Sequence, residues 1–224
     1  MGAGTTTEIV VVGGGGFGRE VVAMIQELSA RGAGVTVTGV VDDSPSRENR
    51  ERLYRLGVPL LGPIDRVSSL GTELNIVVGV GSACSRRQLV AKLTDLVPGV
   101  RFPALIHPTA WVGPDVTLEE GAIICAGARL STQITVGRHV QIDQNATIGH
   151  DVTLGDYARV NPQGCVSGAV NIGSGATVGA SATVLQGLSI GSDSIVGAGS
   201  VVTHDIGPGV SAYGVPARVH QLAV

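Results

Sequence analysis

The sequence predicts two joined domains: an α/β domain over residues 1–103 and an all-β domain, a parallel β-helix, over residues 104–224. Two observations predict this division. From Ile106 to Val202 every sixth residue is Ile, Leu or Val, whereas the first hundred residues alternate β-branched runs with helix-like stretches. A period of six excludes both a helix, which needs apolar residues about every 3.6 positions, and a simple half-buried strand, which needs a period of two.

The hexads predict the shape of the second domain. Three short strands with three corners make one triangular coil, so the uninterrupted series predicts between five and six coils with no protruding loop. The residue four positions after each aliphatic one is small or aliphatic, which predicts a second inward position near the corner. Glycine often directly follows the aliphatic residue, where a missing Cβ eases the bend, at Gly137, Gly149, Gly155, Gly173, Gly179, Gly191 and Gly197.

The first domain reads as alternating strands and helices. Strands are predicted at residues 8–12, 36–41, 58–61 and 75–80, and helices at residues 19–30 and 85–96. Alternation of this kind is typical of a parallel sheet covered by helices. The domain is therefore expected to be Rossmann-like, with about four strands.

A glycine motif suggests what this domain binds. Gly13, Gly15 and Gly18 form G-x-G-x-x-G between the first strand and the first helix, and Asp42 and Asp43 end the second strand. The pattern is typical of a phosphate bound at a helix N-terminus, with an acid placed to meet a ribose or a base. Three interpretations stay open: a turn that only packs helix against strand, a dinucleotide site, and a mononucleotide site. Since a dinucleotide site uses about six strands, four strands favour a mononucleotide such as that of an activated sugar.

Composition excludes several classes of partner. A formal net charge of −3 gives no basic footprint for nucleic acid. Residues 1–8 lack a charged leader and are followed by only a short apolar run, so we expect no secretory signal, no membrane span and a cytoplasmic protein. The three cysteines are widely spaced, which predicts neither a disulfide framework nor a metal site.

Several motifs together resemble one enzyme family. These are the glycine-rich α/β domain, Asp42-Asp43-Ser44-Pro45, Gly79-Val80-Gly81-Ser82, and GHDVTLGD at residues 149–156. They resemble the sialic-acid O-acetyltransferase and nucleotide-amino-sugar N-acetyltransferase family, hexapeptide-repeat acyltransferases with an N-terminal Rossmann-like domain. The resemblance covers nearly the whole chain. It implies a left-handed β-helix, a nucleotide-linked sugar on the N-terminal domain, and acetyl-CoA between neighbouring β-helices of a homotrimer.

The resemblance also assigns roles to residues. It implies that His150 is the general base and that Asp151 is the adjacent acid that raises its basicity. The residues implied for the acceptor are Gly13, Gly15, Gly18, Asp42, Asp43, Gly81, Asp143, Asn145 and Arg159. Those implied for acetyl-CoA are Gly168, Gly179, Gly197, Pro216 and Arg218, the last two in a segment similar to the one that closes hexapeptide transferases. Arg159 stands where the family commonly has a second histidine, nine residues after the base, which implies an altered substrate contact.

Acetyl transfer calls for a group such as His150. An amine or hydroxyl must lose a proton as it attacks a thioester, and imidazole can take and release that proton near neutral pH. No covalent intermediate is needed, and neither Cys125 nor Cys165 has a neighbour in sequence that would activate a thiol. The remaining histidines, His107, His139, His204 and His220, are expected to be ordinary exposed corner residues.

The sequence thus predicts an acetyl-CoA-dependent transferase acting on the amino group of a nucleotide-linked sugar, without a metal. The near alternative is O-acetylation of a sialic-acid-like sugar. Two other classes stay open: a catalytically silent β-helix that binds a nucleotide sugar, and an NAD-binding enzyme with a β-helical oligomerisation domain.

Overall fold

Helices occur only in the first part of the described chain, and short strands alone make up the second. The computed structural model describes residues 6–220. Residues 1–5, part of the N-terminal segment that is expected to lack a secretory signal, lie outside the described residues. The chain divides into two compact units, Met1–Pro103 and Ala104–Val224.

The first unit is an α/β arrangement built on a parallel four-stranded sheet, as predicted. Its elements are β1 (Thr7–Val12), α1 (Gly16–Ala30), β2 (Val35–Val41), α2 (Arg47–Arg55), β3 (Leu60–Gly62), a 3₁₀ helix (Ile64–Ser69), β4 (Asn75–Val78) and α3 (Ala83–Leu96). The strands are parallel in the order β3-β2-β1-β4. Alternate residues of β1 serve the two faces of the sheet: Val10 and Val12 pack with Ile76 and Leu93, while Val11 is buried on the other face.

Helix α2 and the 3₁₀ helix are absent from the sequence prediction. In α2 the only buried side chain is Leu53, so no apolar period marks the helix. Its start is fixed instead by the Ser46 hydroxyl, which accepts a hydrogen bond from the Asn49 amide at 3.1 Å.

The second unit is a left-handed parallel β-helix, which confirms the predicted fold. Its strands are β5 (Leu105–Ile106), β6 (Trp111–Val112), β7 (Val116–Leu118), β8 (Ile123–Ile124), β9 (Arg129–Leu130), β10 (Ile134–Val136), β11 (Gln141–Ile142), β12 (Thr147–Ile148), β13 (Thr153–Leu154), β14 (Arg159–Val160), β15 (Cys165–Val166), β16 (Asn171–Ile172), β17 (Thr177–Val178), β18 (Thr183–Val184), β19 (Ser189–Ile190), β20 (Ile195–Val196) and β21 (Val201–Val202). No helix interrupts the described residues from Val112 to Val202.

Strands three hexads apart stack in register, as Thr147 with Cys165 does. They form three sheets: a five-stranded one (β19-β16-β13-β10-β7), a six-stranded one (β21-β18-β15-β12-β9-β6) and an eight-stranded one that runs from β5 to the C-terminal strands. The repeated aliphatic residues form the interior column, and from Ile124 onward they are at most 2% exposed. Burial of each such side chain contributes roughly 1.5–3 kcal/mol. In the first coil Ile106 remains 39% exposed.

The corners follow a second six-residue rule that the sequence analysis missed. Every sixth residue from Asp115 to Gly199 has a left-handed φ, between 55° and 74°, and most of these residues are not glycine. The glycines that directly follow the aliphatic residues have another reason. A Cβ on Gly149, for example, would lie 2.6 Å from the amide nitrogen of Gly168 in the next coil. Those glycines therefore allow neighbouring coils to approach.

The described chain ends in a hairpin of β22 (Ser211–Gly214) and β23 (Ala217–His220), which are antiparallel. Strand β22 adds to β20 and so extends the eight-stranded sheet. Among the described helices none is long and apolar enough to cross a membrane.

Candidate functional site

The strand order of the α/β unit places a crevice at one edge. The chain moves from β1 outward through β2 to β3 and then returns to the other side of β1 at β4. At such a switch point, here between β1 and the edge strand β4, ligands of open α/β sheets bind at the carboxyl ends of the strands. The loops concerned are residues 13–15 and residues 79–82.

The predicted glycines of the first loop have different surroundings. Gly13 has φ +100°, and a Cβ on Gly18 would overlap the Gly13 carbonyl oxygen. Gly18 also contacts the second loop, since a Cβ on Gly79 would lie 2.6 Å from the Gly18 Cα. By contrast, no atom lies within 4 Å of the Cβ position of Gly15. Gly13 and Gly18 are therefore required by packing, and Gly15 leaves open space.

The two acids after β2 hold backbone groups. Asp42 accepts hydrogen bonds from the amides of Gly14, at 2.7 Å, and Ser44, at 2.9 Å. Asp43 accepts one from the Ile64 amide at 2.7 Å. Asp42 thus ties the glycine loop to the end of β2, a role that the sequence motif does not reveal.

The second loop is held by a buried arginine that the sequence analysis missed. Arg86 is 1% exposed and donates hydrogen bonds to the carbonyl oxygens of Gly81, at 2.7 Å, and Val80, at 3.1 Å. It is followed by Arg87 in a helix of low amphipathicity, so nothing in the sequence distinguishes it from a solvated side chain. Gly81 is thus a structural partner of Arg86 as well as a predicted site residue.

Most predicted site residues of the β-helix lie on two of its three corners, while Arg159 lies in strand β14. We call residues 143–146, after β11, and their equivalents in other coils the Asp143 corner. Residues 149–152, after β12, and their equivalents form the His150 corner. His150, Asp151 and Gly168 lie on the His150 corner, and Asp143, Asn145, Gly179 and Gly197 on the Asp143 corner. One sheet separates the two groups within a single chain.

His150 and Asp151 form a side-chain pair at the surface. The His150 Nδ1 lies 2.6 Å from a carboxylate oxygen of Asp151, and the two side chains are 50% and 55% exposed. A carboxylate can only accept in this bond, so Nδ1 carries a proton, and in the neutral imidazole Nε2 then presents its lone pair. Asp151 reaches the imidazole because it occupies the left-handed corner position, with φ 59°.

Gly168 makes room for the imidazole. It lies one coil below His150 in the same corner, and a Cβ there would be 2.5 Å from the His150 Nε2. Gly179 and Gly197 accommodate other groups: their Cβ positions fall 2.6 Å from the Ala198 amide nitrogen and 2.7 Å from the Tyr213 Cβ. Of the three glycines predicted to contact acetyl-CoA, one therefore borders the base and two pack between coils.

An open groove of about 400 Å³ runs along the six-stranded sheet to the His150 corner. It is lined by Trp111, Arg129, Ser131, Thr147, Ile148, Gly149, Cys165, Val166 and Ser167. Apolar atoms, hydroxyls and one guanidinium alternate along it. Such a surface suits an amphipathic ligand that must reach the imidazole.

Arg159 and Asp143 form an ion pair. The Asp143 carboxylate accepts hydrogen bonds from Arg159 Nη2 at 2.7 Å and Nε at 3.0 Å. The Arg159 side chain is 18% exposed and that of Asp143 is 1% exposed. Asn145 is exposed, with φ 57°, and a Cβ on Gly127 would overlap its side-chain oxygen. The charge of Arg159 is thus already balanced by a carboxylate from the preceding coil.

Two histidines, His139 and His107, differ from the expectation of exposed corner residues. His139 is 2% exposed and stacks on Tyr157, with ring centroids 5.3 Å apart, so it is a packed residue and not an exposed corner. His204 and His220 are exposed as expected, and His220 stacks on Tyr213 at 3.7 Å. His107 is half-buried.

The remaining predicted residues lie near the described C-terminus. Pro216 and Arg218 are exposed on the hairpin of β22 and β23. Cys125 is buried and Cys165 lines the groove, both as free thiols. Among the described residues no group of three or more His, Cys, Asp or Glu side chains is placed to hold a metal ion.

Comparisons with known proteins bear on both units. Residues 8–93 match the family described as the PglD N-terminal domain. No curated protein sequence matches the chain. Among solved structures, the chain is 34% identical to a histidine-to-asparagine mutant of perosamine N-acetyltransferase from Caulobacter crescentus in complex with CoA and GDP-perosamine, covering 95% of this chain and 96% of that chain with a TM-score of 0.82.

Two further structures are similar over the same length. The acetyltransferase domain of PglB from Neisseria gonorrhoeae in complex with acetyl coenzyme A is 28% identical, covering 95% of this chain and 98% of that chain with a TM-score of 0.81. WeeI from Acinetobacter baumannii is 27% identical, covering 96% of this chain and all of that chain with a TM-score of 0.82. The likeness thus extends over both units and includes proteins that bind CoA.

Proposed function

This chain belongs to the nucleotide-amino-sugar N-acetyltransferase family, and from that membership we propose that it transfers the acetyl group of acetyl-CoA directly to the amino group of a nucleotide-linked amino sugar. The observation that carries the proposal is the His150–Asp151 pair, held at 2.6 Å on an exposed corner at the end of a groove. A similar protein, the Caulobacter enzyme, is an N-acetyltransferase in complex with CoA and GDP-perosamine.

His150 acts as the general base. The neutral amine of the sugar attacks the thioester carbonyl, a C–N bond forms, and the Nε2 of His150 takes the proton that the nitrogen loses. The C–S bond then breaks, and the proton passes from His150 to the departing sulfur, so that free CoA leaves as a thiol. Asp151 holds the imidazole in the tautomer that this step needs. The transfer requires no covalent enzyme intermediate, and Cys165 takes no part in it.

The nucleotide of the acceptor is proposed to bind at the crevice of the α/β unit. The open space at Gly15 and the amides at the start of α1 suit its phosphates. Gly13, Gly18 and Gly81 shape the two loops, while Asp42 and Asp43 are the acids nearest a ribose or base. Asp143, Asn145 and Arg159 are proposed to line the acceptor side of the reaction centre in the β-helix.

We propose that the active protein is a homotrimer. The Asp143 corner and the His150 corner lie at opposite edges of one sheet, so a threefold axis that brings one corner of a copy against the other corner of its neighbour unites them. Acetyl-CoA would then run between copies, beside Gly168, Gly179 and Gly197, with Pro216 and Arg218 of the hairpin along it. Since acetyl-CoA is the donor, we propose that the protein acts in the cytoplasm.

Thiol release provides the test. Acetyl-CoA is incubated with UDP-, dTDP- and GDP-linked amino sugars, free thiol is followed, and the product is treated with hydroxylamine, which cleaves esters but leaves amides intact. We expect turnover with at least one amino sugar and a hydroxylamine-resistant product. A labile product would establish O-acetylation instead. Binding of a nucleotide sugar without any turnover would establish the silent binding protein and overturn the proposal.

A further inference from the structure

Two arginines occupy equivalent places on the two sides of the α/β crevice. Arg19 is the fourth residue of α1 and Arg86 is the fourth residue of α3. Each reaches back to the carbonyl oxygen five residues earlier, in the loop before its helix. Arg19 Nη1 donates to Gly14 at 3.0 Å, and Arg86 Nη1 donates to Gly81 at 2.7 Å.

Neither arginine is at a place where helix stability favours a cation. The N-terminus of a helix carries partial positive charge and favours acids. Helix α2 follows this rule with Glu48 in its first turn, whereas α1 and α3 have no acid in theirs. Arg86 is also buried, which adds the cost of removing its charge from water. Positive charge is thus concentrated at the two helix starts that face the crevice.

The two hydrogen bonds fix the direction of the loop amides. In a planar trans peptide the C=O and N–H groups point in opposite directions. When Arg19 holds the Gly14 carbonyl, the Gly15 amide must point away from the guanidinium. When Arg86 holds the Gly81 carbonyl, the same follows for the Ser82 amide. Within residues 6–220 neither of these amides donates a hydrogen bond to the protein.

The Arg19 contact extends beyond the loop. Its Nη1 also donates to the Asn49 side-chain oxygen on α2 at 2.5 Å. On the other side of the same residue, the Gly14 amide donates to Asp42 at 2.7 Å. The Gly14 backbone is therefore held from both its N–H and its C=O, and α2 supports the arginine that does so.

From these contacts we propose that Arg19 and Arg86 are paired positioning residues, which turn the Gly15 and Ser82 amides toward the crevice so that both can donate to the diphosphate of the nucleotide sugar. The proposal rests on the nucleotide-sugar acceptor proposed above. Neither arginine needs to touch the phosphates itself. Each acts by holding a loop carbonyl. This helps binding, because a loop that is fixed before the ligand arrives loses less conformational entropy on binding.

The test uses the full-length protein with Arg19→Gln, Arg19→Lys, Asn49→Ala and Arg86→Lys. Arg31→Gln is the matched control, since it removes the same charge from the other end of α1, where Arg31 pairs with Glu27. We expect Arg19→Gln to raise the KM for the nucleotide sugar about tenfold, with kcat and the KM for acetyl-CoA within about twofold of the parent. Arg19→Lys should recover part of the loss, because an ammonium can still donate to one carbonyl. Asn49→Ala and Arg86→Lys should show smaller changes in the same direction.

A binding measurement keeps the inference separate from catalysis. Dissociation constants for UDP, dTDP and GDP are measured by calorimetry for each variant. If the parent binds a nucleoside diphosphate but turns over no amino sugar, the proposed function fails, while the weaker binding by Arg19→Gln still supports the positioning role. A dissociation constant for Arg19→Gln within twofold of the parent overturns it. So does equal weakening by Arg31→Gln, a parallel loss of kcat and both KM values, or a parent that binds none of the three nucleotides.

Discussion

The two units of this chain place their candidate site residues by different means. In the β-helix the backbone repeats every six residues, and Asp151 adopts the same left-handed conformation as Asn145 one corner earlier. In the α/β unit the loop at residues 13–18 occurs once, and each of its glycines has its own contacts. The repeat gives every coil the same corner geometry, whereas the loop combines two glycines that packing requires, Gly13 and Gly18, with one that leaves open space, Gly15.

This difference determines whether a candidate site residue can be recognised from its residue type alone. Each β-helix residue has equivalents three hexads away, and those of His150 are Thr132 and Gly168. A histidine between two small residues in that row is not required by the repeat, and so it marks a candidate site. In the α/β loop, Gly15 and Gly18 look alike in sequence, and only the space at their Cβ positions separates them.

The largest effect is expected from replacing His150, the residue that departs from the small residues of its row. His150→Ala should lower kcat by roughly 10²–10⁴ with little change in melting temperature, because the side chain is half exposed and lies outside the aliphatic column. Steady-state thiol release and a thermal melt measure the two quantities. The control is His204→Ala, also an exposed histidine of the β-helix; His139 is unsuitable because it is buried.

A His150→Ala protein that keeps more than about half its activity would contradict the inference that this departure from the repeat marks a catalytic residue. It would mean that the amine reaches the thioester already deprotonated, without help from this corner.

A second substitution tests Gly168, the residue one coil after His150 at the same corner. Gly168→Ala places a methyl group 2.5 Å from the His150 Nε2, so the imidazole must move while the coil backbone, which has no positive φ at Gly168, is spared. We expect kcat to fall about 10–100-fold, since displacement of a catalytic group by about 1 Å can cost that much. Kinetics at saturating substrates measure it.

Gly173→Ala is the matched control, because its Cβ would meet the Ser192 amide nitrogen of the next coil, 2.5 Å away. That variant should lose stability, not kcat per folded molecule. Equal kcat losses in the two variants would show that the glycine rows act only through packing.

The α/β loop offers a corresponding pair. Gly15→Val places its side chain in open space beside the crevice, so we expect the KM for the nucleotide sugar to rise about tenfold with the KM for acetyl-CoA nearly unchanged. Gly18→Ala should instead destabilise the fold by about 1–3 kcal/mol, because its methyl group overlaps the Gly13 carbonyl. Initial rates with each substrate varied, and urea unfolding, measure these effects. Similar changes in both KM values for Gly15→Val would mean that the loop is only structural.

The sequence predicts those parts of the fold in which buried residues recur at a fixed spacing. Ile142, Ile148 and Leu154 are buried in turn by the same coil geometry, so the aliphatic period specifies the whole β-helix. It does not predict α2, which buries one side chain, or the ion pair between Arg159 and Asp143, whose partners are sixteen residues apart and not a whole coil.

Burial of His139 could have been suspected from a different spacing. Its ring partner Tyr157 lies eighteen residues later, which is one coil. Directly before these two residues come Arg138 and Asp156, also one coil apart. Side chains at this spacing stack, so a histidine with an aromatic residue eighteen positions away is a candidate for packing before it is one for catalysis.

The smallest expected effect concerns that neighbouring pair and the pH dependence of β-helix stability. Burial acts to raise the pKa of Asp156, but hydrogen bonds from the Arg138 side chain and amide outweigh it and hold the pKa below the ordinary value of 3.8. A lowered pKa means that the folded state binds a proton less readily than the unfolded state. The pair therefore stabilises the protein above about pH 4, and this contribution is lost as the pH falls through the folded-state pKa.

Arg138→Gln should accordingly lower the free energy of unfolding, measured with urea at pH 7, by under about 1 kcal/mol for a partly exposed pair. The difference from the parent should shrink as the pH falls below 4. Arg129→Gln, an exposed arginine of the same β-helix, is the control and should show no such pH dependence. A difference for Arg138→Gln that is constant from pH 7 to pH 3 would assign the effect to packing of the arginine stem against the corner, and would leave the repeat, not the charge pair, as the source of stability there.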